Sequence, residues 1–236
     1  KHERARLAVL GGADIVFELP AVFSLRSALP FAEASVFLLS AAGCDFIAFG
    51  AECDDINVLT AAADLFLSEP GPFQNKLREN LKRGMSFAAA RTSAAEDIDQ
   101  KIAKITKTPN NILAVSYIMA LKRLKYDALP VITLRRGAEH DETVSHGEFA
   151  SASFIRCALA AGRDMSHFMP NISRETPVSV YDFESLILYA LRTSDAGFIS
   201  SVADSSDGLS ERLISSRAKT LSELLNEVKT KRLALS

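Results

Sequence analysis

Apolar runs in this sequence come in two lengths, and the residues between them sort the runs into helices and strands. Residues 3–10 carry apolar side chains at helical spacing, and Gly11-Gly12 ends the run as glycine does at a helix C-terminus. Asp14 through Leu19 is short and apolar, is closed by Pro20, and predicts a strand. Helical spacing returns over 30–42, with Pro30 near the first turn and Gly43 after the end. Cys44 through Phe49 predicts a second strand, ended by Gly50. Helix, glycine, aspartate and strand therefore follow one another twice, about 30 residues apart, as βαβ units and a parallel sheet require.

Helices are predicted next over about 56–68 and 72–83, while the polar stretch 84–108 shows no clear period. Pro109 opens a long helix to about Lys125, and Leu129 through Leu134 predicts a third strand. Residues 135–149, with Gly137 and Gly147, read as a loop, and 151–161 as a helix. Beyond Pro170 only helices are predicted, over 181–193, 195–203, 208–218 and 220–229. The order is α/β first and all-helical afterwards, which gives domains over 1–172 and 173–236.

Composition narrows the classes. Of 236 residues 48% are hydrophobic, enough to bury a sizeable core, and 24% are charged. A net charge of −2 argues against a strongly basic nucleic-acid module and leaves room for a local basic patch. Cys44, Cys53 and Cys157 are odd in number and lack C-x-x-C spacing, so neither a disulfide framework nor a zinc site is expected. A reducing compartment, the cytoplasm, follows. No apolar run approaches the ~20 residues that span a bilayer, so no membrane is expected as a partner. The sequence opens at Lys1 inside a charged helix and closes at Ser236 without a stop signal, so both ends read as cut.

Four stretches carry candidate chemistry. Ala150 through Arg156 (A-S-A-S-F-I-R) lies where a loop enters a helix. Its free N–H groups, the Ser151 and Ser153 hydroxyls and Arg156 suit a phosphate, although a serine cap with a solvated arginine explains the same residues. Thr108-Pro109-Asn110-Asn111 reads either as a helix cap or as amide recognition of a nucleotide's ribose or base. Arg135-Arg136-Gly137-Ala138 follows an apolar strand, where ligands gather in open parallel sheets, and reads as phosphate binding or as solvated loop charge. Phe49-Gly50-Ala51-Glu52 also ends a strand, and glycine there permits close approach of a ligand or simply a turn.

Other chemistry is weaker. His140-Asp141-Glu142 and His146 lack the further ligands that zinc or iron would need, so no metal site is predicted. Neither a P-loop nor G-x-G-x-x-G nor G-x-S-x-G occurs. Lys229-Thr230-Lys231-Arg232 forms a basic cluster that suits an RNA backbone or a solvated helix end.

Order and spacing together say more than each motif. The stretches 1–20 (K-x-x-R-x-x-x-A-x-x-x-G-A-D-x-V-x-E-L-P), F-G-A-E at 49–52, P-N-N-I-L at 109–113, R-R-G-A with a following H-D at 135–141, A-S-A-S-x-I-R at 150–156 and K-T-K-R at 229–232 resemble the tRNA(Met) cytidine acetate ligase family. The resemblance implies a Rossmann-like, HIGH-type nucleotidyltransferase sheet flanked by helices and followed by a helical C-terminal domain. It implies an enzyme that activates acetate with ATP as acetyl-adenylate and acetylates the wobble cytidine of elongator tRNA(Met) to N(4)-acetylcytidine. ATP contacts would fall on Gly50, on Asn110 or Asn111, on Arg135, and on Ser151, Ser153 and Arg156. Arg135 and Arg156 would do the catalytic charge work, magnesium would sit on the triphosphate, and Lys229, Lys231 and Arg232 would hold tRNA. The family's first strand and its H-x-G-H loop would precede Lys1, and a chain without them is expected to be inactive. Another small-molecule adenylyltransferase of the same superfamily, or a non-catalytic RNA-binding relative, are the alternative readings.

Overall fold

The computed structural model describes residues 2–135, 150–168, 178–202 and 208–228. The described residues fall into two compact units, one within Lys1–Ser68 and Lys104–Pro177, the other within Glu69–Ala103 and Val178–Ser236. Chain order would put residues 69–103 with the first domain; their contacts group them with the tail.

In the first unit α1 spans His2–Leu10, α2 Ala21–Ser24, α3 Ala28–Ala41, β1 Phe46–Ala51, α4 Ile56–Ser68, α8 Pro109–Leu124, β2 Leu129–Leu134 and α9 Ala152–Ala160. β1 and β2 are parallel neighbours, in a register that runs from Phe46 opposite Leu129 to Ala51 opposite Leu134. Alternation along β1 buries Ile47, Phe49 and Ala51 on one face. Helix α8 packs on that face and against α3 and α4, and buries Ala114, Val115, Ile118 and Met119. Tyr117 on α8 stacks on Phe49 with centroids 5.5 Å apart.

Both strands are launched by the same device. α3 ends at Gly43 with φ +72°, and the Cys44 N–H donates to the Leu39 carbonyl at 3.2 Å. α8 ends at Lys125 with φ +52°, and the Tyr126 N–H donates to the Leu121 carbonyl at 3.0 Å. These are Schellman closures, in which one left-handed residue turns the chain out of the helix. The Tyr126 hydroxyl then donates to the Cys44 carbonyl at 2.6 Å and ties the two launch points together.

Three expectations change. Residues 14–19 pair with no strand among the described residues, and Ile15, Val16 and Phe17 are 69%, 41% and 48% exposed. Apolar alternation needs a neighbouring ladder before it becomes a strand. β1 runs past Gly50, which pairs opposite Thr133 and does not end it. The stretch 84–108 is helical: α6 spans Phe87–Glu96 and α7 Gln100–Ile105. The buried face of α6 is Ala90, Ala94 and Ala95, too small to stand out in the apolar pattern.

In the second unit α5, Gly71–Lys82, packs on α6 around the fully buried Phe73. Asn80, also buried, donates from Nδ2 to the Ala90 carbonyl at 3.3 Å. The tail carries a 3₁₀ turn over Val180–Phe183, then α10 Glu184–Thr193, α11 Ala196–Ser201, α12 Leu209–Ser215 and α13 Leu221–Val228. α13 buries Leu221, Leu224 and Val228 against Ile187, Leu188, Leu191 and Leu213. Glu184 caps it by accepting from the Leu221 N–H at 2.7 Å. A helix lies in each stretch expected to be helical beyond residue 170, although α12 ends at Ser215, short of the expected residue 218.

Candidate functional site

Parallel pairing brings the carboxyl ends of β1 and β2 together, and the Arg135 N–H continues the ladder onto the Ala51 carbonyl at 2.9 Å. The chain leaves β1 as Glu52-Cys53 and meets the start of α8 there. Pro109 at the first helical position has no N–H, so Asn110 and Asn111 supply the first donors that the helix leaves open. Thr108 precedes them without capping through its side chain. Glu52 supplies the cap. Its Oε2 accepts from the Asn111 N–H at 2.8 Å, and its Oε1 accepts from Asn110 Nδ2 at 2.5 Å and from the Asn110 N–H at 3.4 Å.

The clasp is reciprocal. Asn111 Oδ1 accepts from the N–H groups of Glu52 and Cys53, each at 2.9 Å, and its Nδ2 donates to Thr108 Oγ1 at 2.7 Å. Partial burial works against the Glu52 charge, but the hydrogen bonds from Asn110, Thr108 and the nearby backbone outweigh it. The carboxyl is held below its ordinary range. A negative carboxylate is also favoured by the positive end of the α8 dipole.

The two asparagines thus differ. Asn111 is 3% exposed, and its side chain is spent on holding β1's exit to α8. Asn110 is half-buried; its Nδ2 faces Glu52, and its Oδ1 accepts from Arg135 Nη1 at 3.4 Å. Gly50 lies beside them. A Cβ there would meet Arg135 Cγ at 3.5 Å, Cδ at 3.8 Å and the Thr133 carbonyl at 3.9 Å, all ordinary contacts. Among the described residues nothing requires glycine at this point, and without a side chain Gly50 leaves the strand end exposed above the Arg135 stem.

Gly50, Asn110, Asn111 and Arg135 are therefore gathered in one place. Ser151 is buried at the N-cap of α9, where its hydroxyl accepts from the Phe154 N–H at 3.0 Å, and Arg156 is exposed within the first two turns of that helix. Arg136, His140, His146, Lys229, Lys231 and Arg232 lie outside the described residues, as does the side chain of Ser153. Sequence reasoning gave Glu52 no role. The available signal was indirect: α8 opens Pro-Asn-Asn with no acidic residue in its first turn, which leaves the positive end of its dipole to a carboxylate from elsewhere in the chain.

A family model described as HIGH Nucleotidyl Transferase matches residues 1–236. The chain belongs to that family. Among curated proteins it is similar to the tRNA(Met) cytidine acetate ligase of Caldanaerobacter subterraneus subsp. tengcongensis, 34% identical over 249 residues that cover 98% of this chain and 62% of that protein. The enzyme of the same name from Clostridium kluyveri is 32% identical over 263 residues, covering 100% of this chain and 64% of the other. Among solved structures, Thermotoga maritima TmcAL in its apo form superimposes with a TM-score of 0.89 at 27% identity, over 99% of this chain and 60% of that one. The same protein bound with alpha-thio ATP gives a TM-score of 0.85 at 27% identity, over 99% and 59%. These relatives bear out both the resemblance read from the motifs and the α/β nucleotidyltransferase fold. The chain spans about three fifths of the length of the relatives it matches.

Proposed function

We propose that this HIGH nucleotidyl transferase chain binds ATP at the β1–β2 edge and serves an ATP-dependent tRNA(Met) cytidine acetate ligase. The observation that carries the reading is the meeting of Asn110 and Arg135 beside Gly50, where the described residues would accept a Cβ. The alpha-thio ATP bound by the Thermotoga maritima relative supports it. In the first step an acetate oxygen attacks the α-phosphorus of ATP, the bond to pyrophosphate breaks, and acetyl-adenylate forms. In the second the N4 amine of the wobble cytidine attacks the acetyl carbon, AMP leaves, and the amine gives up a proton.

Arg135 and Arg156 are assigned to neutralising phosphate charge, the larger part of catalysis in such transfers. Ser151 and Ser153 are assigned to the triphosphate through the start of α9. Of the asparagine pair, Asn110 is assigned to the nucleotide and Asn111 to the scaffold. Magnesium would travel on the phosphates. Lys229, Lys231 and Arg232, in a tail beginning near residue 173, are assigned to the tRNA backbone, and the cytoplasm is the proposed compartment.

Acetate-dependent ATP–pyrophosphate exchange by the polypeptide in its natural length tests the first step. Exchange that requires acetate and falls at least about 100-fold in Arg135→Ala supports the reading, this being the scale of one lost transition-state donor. Exchange that ignores acetate would point instead to another adenylyltransferase.

A further inference from the structure

We infer that Glu52 is a positioning residue that fixes which way the Asn110 amide points, so that the carbonyl oxygen, not the nitrogen, faces Arg135 and the open strand end. The inference rests on the reading of that edge as the nucleotide site.

A carboxylate only accepts hydrogen bonds, so the group that Asn110 turns toward it must be the NH2. Asn110 Nδ2 lies 2.5 Å from Glu52 Oε1, and this leaves Oδ1 facing Arg135 Nη1. The arrangement presents an acceptor at the strand end, suited to a nucleotide hydroxyl or amine, and it stops the amide from setting its own donors against the arginine. It also fills the first donors of α8 with a protein carboxylate. A phosphate would therefore have to be gripped elsewhere, and α8's start is left to the nucleoside end of the ligand.

Glu52→Gln is an informative perturbation because the Asn111 N–H cannot turn over. Two backbone N–H groups need an acceptor at residue 52, and the glutamine oxygen goes to the shorter bond, from Asn111 at 2.8 Å to Oε2 against 3.4 Å from Asn110 to Oε1, so its NH2 takes the place of Oε1. Asn110 must then rotate its oxygen toward residue 52 and its nitrogen toward Arg135, donor against donor. ATP affinity, measured by calorimetry on the polypeptide in its natural length, is expected to fall about tenfold, the weight of one charge-assisted hydrogen bond. Adding Asn110→Asp supplies an oxygen on both sides and should restore affinity to within about threefold of wild type, a recovery that a purely structural role for Glu52 would not give. Asn110→Asp alone sets carboxylate against carboxylate and should itself weaken binding, which tests the pair even if Glu52→Gln alone does not fold.

Arg135→Ala separates the two levels. If it leaves ATP binding intact, the site reading fails and this inference with it. If Arg135→Ala weakens binding while Glu52→Gln does not, or while Asn110→Asp worsens the Glu52→Gln variant, the positioning role is refuted and the site stands.

Discussion

Asn111→Ala separates scaffold from ligand contact at two adjacent and identical residues. The wild-type side chain accepts from two backbone N–H groups at 2.9 Å and donates to Thr108 at 2.7 Å, at 3% exposure. Alanine leaves the Glu52 and Cys53 amides without that acceptor at the point where β1 meets α8. Each orphaned donor costs about 1 kcal/mol, and the small void adds to it, for about 2–4 kcal/mol in all. For a chain of this size that is a fall in melting temperature of about 5–15 °C. Calorimetry gives the shift, and amide exchange read by mass spectrometry should show lost protection at Glu52 and Cys53 specifically. Asn110→Ala, at a half-buried site, is expected to cost no more than about 1 kcal/mol. Equal melting temperatures for the two alanine variants, with unchanged exchange at 52 and 53, would refute the division of labour.

Other expectations follow from single contacts. Gly50→Ala should leave the melting temperature within about 2 °C, since a Cβ there makes only ordinary contacts, yet weaken ATP binding by filling the open edge; unchanged binding would count against a ligand there. Lys125→Gly should stabilise by about 0.5–1 kcal/mol in urea titration, because it relieves a left-handed lysine at the α8 terminus. The Glu52 carboxyl titrates lower in the folded chain than in the unfolded one. Its contribution is therefore complete above the unfolded value of about 4.3 and lost as pH falls through the folded value. Melting curves of wild type and Glu52→Gln should thus stay apart above about pH 5 and converge below it; a constant gap down to pH 3 would contradict the clasp. Reversing the charge of Lys229, Lys231 and Arg232 should weaken tRNA binding and lower its log–log salt slope by about 3, since each phosphate contact contributes about 0.9.

Much of the fold was legible because its cause is local. Pro109 and the apolar period after it set α8, and the run Leu129–Leu134 set β2. What escaped depends on partners far along the chain. Residues 14–19 have the composition of a strand, but pairing decides, and none is made among the described residues. The device that launches β2 escaped because lysine stands where glycine stands before β1, and the left-handed conformation is no longer announced by residue type. α6 was hidden because alanine carries its buried face.

The site followed the same rule. Gly50, the Asn pair and Arg135 were marked by their positions at element ends. Their division into scaffold and open edge was not, because it is set by Glu52, 59 residues before Asn111 in sequence and joined to it only through the fold. Ser151 was readable as a cap and is one; whether its helix also takes a phosphate is not a property of spacing.

A crystal structure of the polypeptide in its natural length, grown or soaked with ATP, tests the central claim most directly. The nucleotide should lie across the carboxyl ends of β1 and β2, over Gly50, within hydrogen-bond distance of Asn110 Oδ1 and the Arg135 guanidinium, with Glu52 still closed on α8. ATP bound away from that edge, or seated on the α8 N–H groups with Glu52 displaced, would contradict it.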